Sequence, residues 1–375
     1  MVRKVKRVGI ITTSYAGNGT FACNYGAALQ GYALVKQLRV LGYEAYDINY
    51  NSVNTYNPQQ YGVIKRTLKR LKLLFNYRVV RSKLEAYANR SNYQILKDMF
   101  VSFIRDNDLI YENGKFYSIN ELEEISDSFY AFVTGSDVVW NPYLHNNVND
   151  DGFFLNFPKE GVKRIAYAPS LGVTSFPDSA KTNLKDLLLR FDSLSVREEV
   201  GSNLIFDLTG IRVPVVLDPT LLLEPKYYDE ISRVPSYVPK EYILVYKFGN
   251  IEHTADMIKE IRDSLEVPVI YIPAGKYLPD EKPRYDLGPA EFVGLIKNAK
   301  IVLTDSFHCT VFCLINHTPF LSFYRSIPKD GKDLNSRIIN LLDMVDMKDR
   351  LVLPGEGINS IYSVVLYHNW KHQFK

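Results

Sequence analysis

Cysteine is scarce in this sequence, with 3 residues among 375. An odd number of cysteines does not form a fully paired disulfide framework, and their spacing does not match a zinc site. Cys309 and Cys313 lie four residues apart in an apolar segment, where we expect small buried hydrophobic side chains. The sequence therefore favours a reducing compartment and predicts no metal.

Long apolar runs are also missing, since no window reaches the roughly 18 consecutive apolar residues of a membrane span. The basic segment from Met1 to Arg7 leads directly into a β-like run at Val8, which is too short for the apolar part of a signal peptide. The net charge of +3 is too small to indicate nucleic acid. We therefore expect a cytoplasmic protein that binds no nucleic acid.

The sequence does contain a repeated alternation of strand-like and helix-like segments, which is typical of a parallel α/β sheet. A chain of 375 residues with 46% hydrophobic and 23% charged residues fits two globular domains. The predicted strands are Val8–Thr13, Glu44–Asn49, Phe129–Thr134, Arg164–Ala168, Ser193–Val196, Val213–Leu217, Tyr242–Tyr246, Val267–Ile272, Lys300–Thr304 and Pro319–Phe323. This pattern predicts two Rossmann-like domains that face each other across a cleft.

Composition divides this pattern into segments. The first domain is predicted over residues 1–223 and the second over 241–345, with a proline-rich linker at 224–240. The tail at 346–375 is predicted to be helical and to pack back on the first domain. A helical insertion is predicted at about residues 51–120. Its basic stretch, Lys65 to Lys83, is either a solvated face of an amphipathic helix or a surface that approaches anionic lipid headgroups.

Ligands of open parallel sheets bind beyond the carboxyl ends of the strands, so the loops at those ends hold the candidate site residues. The first loop contains Asn18, Asn24 and Tyr25, and its glycines fit either a tight turn or a close approach to a ligand. Asp137, in the second loop, is either a helix N-cap or a contact to a sugar hydroxyl. Trp140 offers an apolar face on which a sugar stacks.

Two further strand ends carry charge. Arg197 is either half of a salt bridge or a guanidinium fork that holds a carboxylate or phosphate. Asp218 precedes a proline, a combination that terminates strands, and it is also a candidate contact to an acceptor. The spacing of these residues leaves both pairs of alternatives open.

A last loop, Thr304 to Thr310, leads from a strand into an apolar helix. Asp305 or Ser306 caps this helix, and both are candidates for contact with a bound ligand. His308 falls in the first turn, where free backbone amides attract an anion. His308 is therefore a candidate for a functional role beside a bound anion.

Six short motifs follow one another along the chain. They are Asn24-Tyr25-Gly26-Ala27-Ala28-Leu29-Gln30, Gly135-Ser136-Asp137 with Trp140-Asn141-Pro142, Ser195-Val196-Arg197-Glu198, Leu217-Asp218-Pro219-Thr220-Leu221-Leu222, Asp305-Ser306-Phe307-His308 and Ser336-Arg337-Ile338. In this order, over about residues 8 to 345, they resemble the polysaccharide pyruvyl transferase family. The resemblance implies a glycosyltransferase-B-like fold. It also implies transfer of a pyruvyl group from phosphoenolpyruvate to a sugar of a cell-surface polysaccharide or its precursor, usually as a cyclic ketal across two hydroxyls.

The resemblance further implies roles for single residues. Characterised members hold phosphoenolpyruvate with an arginine of the first domain, which corresponds to Arg197. They also use an Arg-x-His pair of the second domain, which corresponds to Ser306 and His308. The histidine is present and the arginine is absent, so Arg325 and Arg337 are candidates to replace its charge.

This reading predicts that His308 protonates the methylene carbon of phosphoenolpyruvate and that Asp137 assists the attacking sugar hydroxyl. No metal and no cofactor is expected beyond phosphoenolpyruvate as the donor substrate. Two alternatives remain: a glycosyltransferase that uses a nucleotide-sugar, and a catalytically inactive glycan-binding protein. The basic stretch favours a lipid-linked oligosaccharide acceptor and peripheral contact with the inner face of the membrane.

Overall fold

The computed structural model describes residues 5–13, 23–52, 90–145, 148–249, 254–274, 282–325 and 335–353. Within these ranges the strands form two five-stranded sheets and one two-stranded sheet, and every pairing between them is parallel. The strands are β1 (Arg7–Ile11), β2 (Glu44–Asp47), β3 (Asn49–Tyr50), β4 (Phe116–Tyr117), β5 (Ala131–Thr134), β6 (Lys163–Ala166), β7 (Ser193–Leu194), β8 (Ile243–Tyr246), β9 (Val269–Tyr271), β10 (Ile301–Thr304), β11 (Phe320–Phe323) and β12 (Leu351–Val352).

The two larger sheets share one topology. The first has the strand order β2-β1-β5-β6-β7, and the second has the order β12-β11-β10-β8-β9. Counted along the chain within each sheet, both orders are 2-1-3-4-5, an arrangement of doubly wound α/β proteins. The prediction of two Rossmann-like units, as in the glycosyltransferase-B-like architecture, is confirmed.

Helices connect and cover these strands. They are α1 (Tyr25–Val40), α2 (Arg90–Asp106), α3 (Ile119–Ile125), α4 (Asp178–Leu188), α5 (Glu199–Thr209), α6 (Pro225–Ile231), α7 (Ala255–Leu265), α8 (Pro289–Asn298), α9 (Phe307–Asn316) and α10 (Ser336–Met344). Short 3₁₀ turns lie at Tyr111–Gly114, Ser126–Ser128, Pro142–Leu144, Pro219–Leu221 and Lys348–Arg350. Helix α1 begins where the Asn24 side chain accepts a hydrogen bond from the backbone N–H of Ala27.

The shared topology places a crevice at the carboxyl edge of each sheet. The strand order reverses between β1 and β5 in the first sheet and between β8 and β10 in the second. Loops that leave these neighbouring strands diverge to opposite faces, and ligands of such sheets bind in the gap between them. The first crevice lies between the loops of Thr13 and Asp137, and the second lies between those of Lys247 and Asp305.

The largest hydrophobic cluster joins the two units into one core. It runs from β1 and β5 through α1 to α8, α9 and β10, while separate clusters cover the opposite face of each sheet. Tyr25 lies inside it, with its ring 4.5 Å from the ring of Phe292 and its hydroxyl donating to Leu287 O at 2.6 Å. Because α1 belongs to the first unit and α8 to the second, this shared core fixes the position of the carboxyl edge of one sheet relative to that of the other.

Several predicted boundaries are wrong. Most strands are shorter than their apolar runs, and Val213–Leu217 is no strand, since it contributes only a bridge from Val215 to Val196. Inside the predicted linker, Pro225 starts helix α6, because proline fits the first turn of a helix. The first part of the tail does not form the predicted helix packed on the first unit. Leu351–Val352 instead forms strand β12, which pairs with β11 at the edge of the second sheet. A strand with two apolar residues is too short to show a periodicity in the sequence.

Some predictions fall on residues outside the described ranges. These are Asn18, the basic stretch Lys65 to Lys83 and the tail beyond residue 353. Among the helices that the structure describes, none combines the length and the hydropathy that crossing a membrane requires.

Candidate active site

Asp218 lies at the centre of a buried polar network where the two units meet. Its Oδ2 accepts hydrogen bonds from Arg197 Nη1 at 2.6 Å and Ser136 Oγ at 3.1 Å, and its Oδ1 accepts from the Thr220 N–H at 3.0 Å and hydroxyl at 2.7 Å. Burial favours the neutral acid, but the charges of His308 and Arg197 hold the pKa of Asp218 well below its usual range. Both oxygens are occupied by protein donors, so Asp218 organises the site and is not the predicted acceptor contact.

Arg197 is buried beside Asp218 and reaches the second unit. Its Nε donates to Glu198 Oε1 at 3.1 Å, and its guanidinium lies 4.7 Å from the ring centre of Phe307. Burial opposes the charge, but the carboxylates of Glu198 and Asp218 raise the pKa of Arg197, which is cationic at every physiological pH. Buried Nη2 has no hydrogen-bond partner among the described residues. A buried guanidinium with a free donor is suited to bind an anion.

His308 is the second residue of α9 and packs against the first unit. Its Nε2 lies 3.4 Å from Asp218 Oδ2, an ion-pair distance without an aligned hydrogen bond. The other side of the imidazole lies against Gly26, where a Cβ atom would come within 2.2 Å of Nδ1. Glycine at position 26 therefore leaves the space that the ring occupies, and two units contribute to the position of His308.

Asp137 follows β5 in the first crevice. Its φ of +61° lies in the left-handed region, which is uncommon for any residue other than glycine and occurs at functional sites. Its Oδ2 accepts a hydrogen bond from Thr13 Oγ1 at 2.9 Å. Burial alone would raise the pKa of Asp137, but the charges of His308, Arg197 and Arg337 lower it, so the carboxylate is ionised. No helix begins here, and the N-cap alternative is wrong.

Asp305 fills the second crevice. Its Oδ1 accepts from the Phe248 N–H at 2.8 Å, and its Oδ2 accepts from the Gly249 N–H at 2.7 Å. Lys247 Nζ lies 3.8 Å from Oδ2, and Arg325 donates from Nη2 to the Asp305 carbonyl at 3.0 Å. Backbone N–H groups occupy both carboxylate oxygens, so the predicted donor contact of Asp305 is wrong. It anchors two cations instead.

Lys247 and Arg325 are both engaged within this second crevice. Lys247 Nζ lies 4.2 Å from the ring centre of Phe323, and burial lowers the pKa of Lys247 to about 8 despite the opposing effect of Asp305. The guanidinium of Arg325 lies 4.4 Å from the ring centre of Phe248. These contacts hold both side chains to the protein.

Arg337 is the second residue of α10 and differs from the other cations. It is only 8% exposed, and its Nε has no hydrogen-bond partner. In the described part of the chain its guanidinium forms neither a hydrogen bond nor an ion pair. Burial and the repulsion of Arg197 lower the pKa of Arg337 to about 10, and Asp137 opposes this shift.

Two predicted ligand contacts are helix caps. The Ser306 hydroxyl oxygen accepts from the Cys309 N–H at 3.4 Å and caps α9, as Asn24 caps α1. Both side chains therefore satisfy backbone N–H groups that the helix leaves free. Ser306 adds no charge to the site.

Two residues predicted as acceptor or loop contacts, Trp140 and Tyr25, are core residues. Trp140 is 2% exposed, stacks on Phe154 with ring centres 4.9 Å apart, and donates from Nε1 to Phe153 O at 2.9 Å. Tyr25 is buried in the core between the units. Both predictions are wrong, because an aromatic residue beside a strand end has the same sequence pattern whether it packs inward or faces a ligand.

Sequence reasoning assigned no role to Gly26, Ser136 or Lys247. Lys247 directly follows four buried residues of β8, so the strand-end rule that selected the other loops would have found it. Ser136 and Gly26 act through contacts across the fold, with Asp218 and His308 respectively, and no local pattern announces such contacts.

No group of three or more His, Cys, Asp or Glu side chains in the described ranges is arranged to hold a metal ion. The expectation of a metal-free reaction stays a prediction.

A family model described as polysaccharide pyruvyl transferase matches residues 24–327. The match includes Asp137, Arg197, Asp218 and His308 and ends before Arg337. No curated protein matches the chain in sequence.

Solved structures with a similar arrangement include nucleotide-sugar enzymes. The UDP-GlcNAc 2-epimerase of Methanocaldococcus jannaschii is 12% identical, with a TM-score of 0.46, over 96% of this chain and 91% of that chain. The UDP-N-acetylglucosamine 2-epimerase of Rickettsia bellii is 12% identical, with a TM-score of 0.42, over 91% and 87% respectively. At these identities and scores neither structure bears on the substrate of this chain.

Proposed function

Since this chain belongs to the polysaccharide pyruvyl transferase family, we propose that it transfers a pyruvyl group from phosphoenolpyruvate to two hydroxyls of a sugar, forming a ketal. The observation that carries the proposal is the buried guanidinium of Arg197, whose free Nη2 donor lies in the same network as His308. A fixed cation with an unused donor beside an imidazole suits a small polyanion that must also be protonated.

The proposed reaction uses three described side chains. His308 gives a proton to the methylene carbon of phosphoenolpyruvate, which makes the neighbouring carbon electrophilic. A sugar hydroxyl attacks that carbon and loses its proton to Asp137 as the new C–O bond forms. Arg197 stabilises the carboxylate and phosphate while charge is redistributed. The C–O bond to phosphate then breaks and the phosphate leaves with the proton from Asp137, and a second hydroxyl closes the ketal and returns a proton to His308.

Asp218 supports this chemistry without touching the reactants. It is the ionised partner of both Arg197 and His308, and its lowered pKa keeps it anionic at neutral pH. A fixed anion beside the imidazole orients the ring and stabilises its protonated form, as a general acid requires.

A calorimetric titration of the purified protein with phosphoenolpyruvate tests the donor. We expect saturable binding that disappears in Arg197→Ala, with a nucleoside diphosphate such as UDP as the control ligand. A protein that binds UDP and not phosphoenolpyruvate would instead be a glycosyltransferase with a nucleotide-sugar donor. Glycan binding without turnover of either donor would identify an inactive member of the family.

The acceptor is proposed to be attached to a lipid at a membrane surface. The support comes from the sequence, where residues 65–83 contain eight Lys or Arg and no Asp or Glu. Each basic residue near an anionic bilayer contributes about 1 kcal/mol of binding. We expect binding to phosphatidylserine vesicles at low salt, and its loss when Lys65, Arg66 and Lys69 are changed to Gln. Equal binding of this variant would contradict the proposal.

A further inference from the structure

The second unit contributes little free positive charge at the start of α9. Ser306 is neutral and its hydroxyl caps the helix. Arg325 donates to the Asp305 carbonyl, and Lys247 is enclosed between Asp305 and Phe323. Apart from the proton that His308 gives up, a polyanionic donor held by Arg197 would therefore meet little fixed counter-charge from the second unit.

Arg337 is placed to supply that charge. Its charged neighbours are Arg197, Asp137 and Glu198 of the first unit and Arg325 of the second, so its guanidinium lies at the junction that holds the candidate site. Arg337 is 8% exposed, and its Nε has no hydrogen-bond partner among the described residues. Helix α10, which carries it, packs against α9, which carries His308.

A guanidinium in this state destabilises the unliganded protein. Burial removes its hydration and Arg197 repels it, and Asp137 and Glu198 attract it without forming an ion pair in the described part of the chain. The Nη2 of Arg197, in the same network, also lacks a hydrogen-bond partner, although this guanidinium is paired with Asp218 and Glu198. Two neighbouring buried guanidinium groups with unused donors are both satisfied by one polyanion, which offsets their repulsion and accepts their hydrogen bonds.

We propose that Arg337 supplies the second fixed positive charge of the donor site, so that Arg197 and Arg337 clamp the carboxylate and phosphate of phosphoenolpyruvate from opposite units. This inference rests on the proposed function. It assigns to α10 the charge that Ser306 does not provide at the start of α9. The clamp also requires both units to be in place before the donor is held.

Calorimetric titration with phosphoenolpyruvate tests the clamp. Arg337→Gln is expected to weaken binding roughly 10- to 100-fold, the loss typical of charge-assisted hydrogen bonds. Arg350→Gln is the matched control, because Arg350 is another buried arginine of the second unit, whose charged neighbour is Asp349. Its affinity should stay within about twofold of the original protein, since it loses no donor contact.

A charge relocation distinguishes the clamp from a general effect of the variant. The double variant Ser306→Arg with Arg337→Gln returns an arginine to the start of α9, and we expect it to recover part of the lost affinity. The unliganded Arg337→Gln protein should melt at the same or a higher temperature than the original, because a repelled buried charge is gone. An arginine with a purely structural role would lower the melting temperature.

The outcomes separate the two proposals. If the original protein binds phosphoenolpyruvate, Arg197→Ala abolishes binding and Arg337→Gln leaves it within twofold, the clamp is wrong and the proposed function stands. If the original protein binds UDP and not phosphoenolpyruvate, the proposed function is wrong and the clamp falls with it. Should Arg337→Gln not fold, Arg337→Met keeps an apolar stem without the charge, and unchanged affinity there overturns the clamp.

Discussion

The two α/β units have the same strand order but use their crevices differently. In the first, Asp137 receives one side-chain hydrogen bond from Thr13 and lies among cations of both units. In the second, Asp305 receives two backbone N–H groups from the loop after β8 and occupies the place where a ligand of such a sheet would bind. One topology therefore leaves an available carboxylate at one crevice and an internally satisfied carboxylate at the other.

The difference between the two crevices determines which cations remain available to a ligand. Asp305 engages Lys247 and one edge of the Arg325 guanidinium, which draws both towards the second crevice, while Arg325 Nε has no hydrogen-bond partner among the described residues. Arg197 keeps a free donor because Asp218 and Glu198 do not use its whole guanidinium. Unused guanidinium donors of Arg197 and Arg337 therefore remain where the units meet.

Removing the charge of Asp218, which lies between the two units, should have the largest effect on stability. Asp218→Asn leaves Arg197 and His308 buried without their shared carboxylate, and breaking a buried ion pair costs about 3 to 5 kcal/mol of the free energy of unfolding. Urea unfolding measures this cost. Asp178→Asn removes an exposed carboxylate paired with Lys181 and should leave the free energy of unfolding nearly unchanged. Similar costs for both variants would show that the junction is not held by Asp218.

A methyl group added at position 26, next to the His308 imidazole, should reduce activity without reducing stability. In Gly26→Ala the new methyl displaces His308, and a misplacement of about 1 Å costs roughly 10²-fold in kcat. The helix itself should tolerate the change, because alanine favours helices more than glycine does. The matched variant Ala27→Gly costs α1 up to about 1 kcal/mol and should leave kcat within a few-fold. Loss of kcat in Ala27→Gly alone would refute the steric account of position 26.

Lys247 in the second crevice should make the stability of the protein depend on pH. The pKa of Lys247 is about 8 in the folded protein and 10.5 ordinarily, so above pH 8 the folded state loses a proton that the unfolded state keeps. Stability from this group therefore rises with pH, by about 2 kcal/mol between pH 7 and 9.5. Urea unfolding at both pH values compares the original protein with Lys247→Met, which should lack this increment. An identical pH dependence in the two proteins would show that Lys247 is not a strained cation.

The smallest effect should come from a change in the first crevice, at the hydrogen bond between Thr13 and Asp137. Thr13→Val removes the hydroxyl that donates to Asp137 and should cost about 1 kcal/mol of stability. Because that hydrogen bond lowers the pKa of Asp137, its loss should move the acid limb of kcat/KM to higher pH. A pH profile measured with saturating donor tests this. An acid limb that stays in place would mean that Asp137 does not titrate in the reaction.

Much of the fold was predictable from the sequence, because buried parallel strands are continuous apolar runs that stop at polar residues. The ends of β5, β7 and β10 led directly to Asp137, Arg197 and His308, which the structure brings to one junction. The wrong predictions share a physical cause. A strand-end Trp140 or Asp305 has the same local pattern whether its partners are protein atoms or a ligand. Only the three-dimensional contacts show that Phe154 and the Phe248 N–H take those places.

A crystal structure of the protein with phosphoenolpyruvate tests the central claim most directly. We expect one donor molecule at the junction of the two units, with oxygens within hydrogen-bond distance of Arg197 Nη2 and the Arg337 guanidinium and with its methylene carbon facing His308. Phosphoenolpyruvate bound in the second crevice against Lys247 and Arg325, with Asp305 displaced, would contradict it.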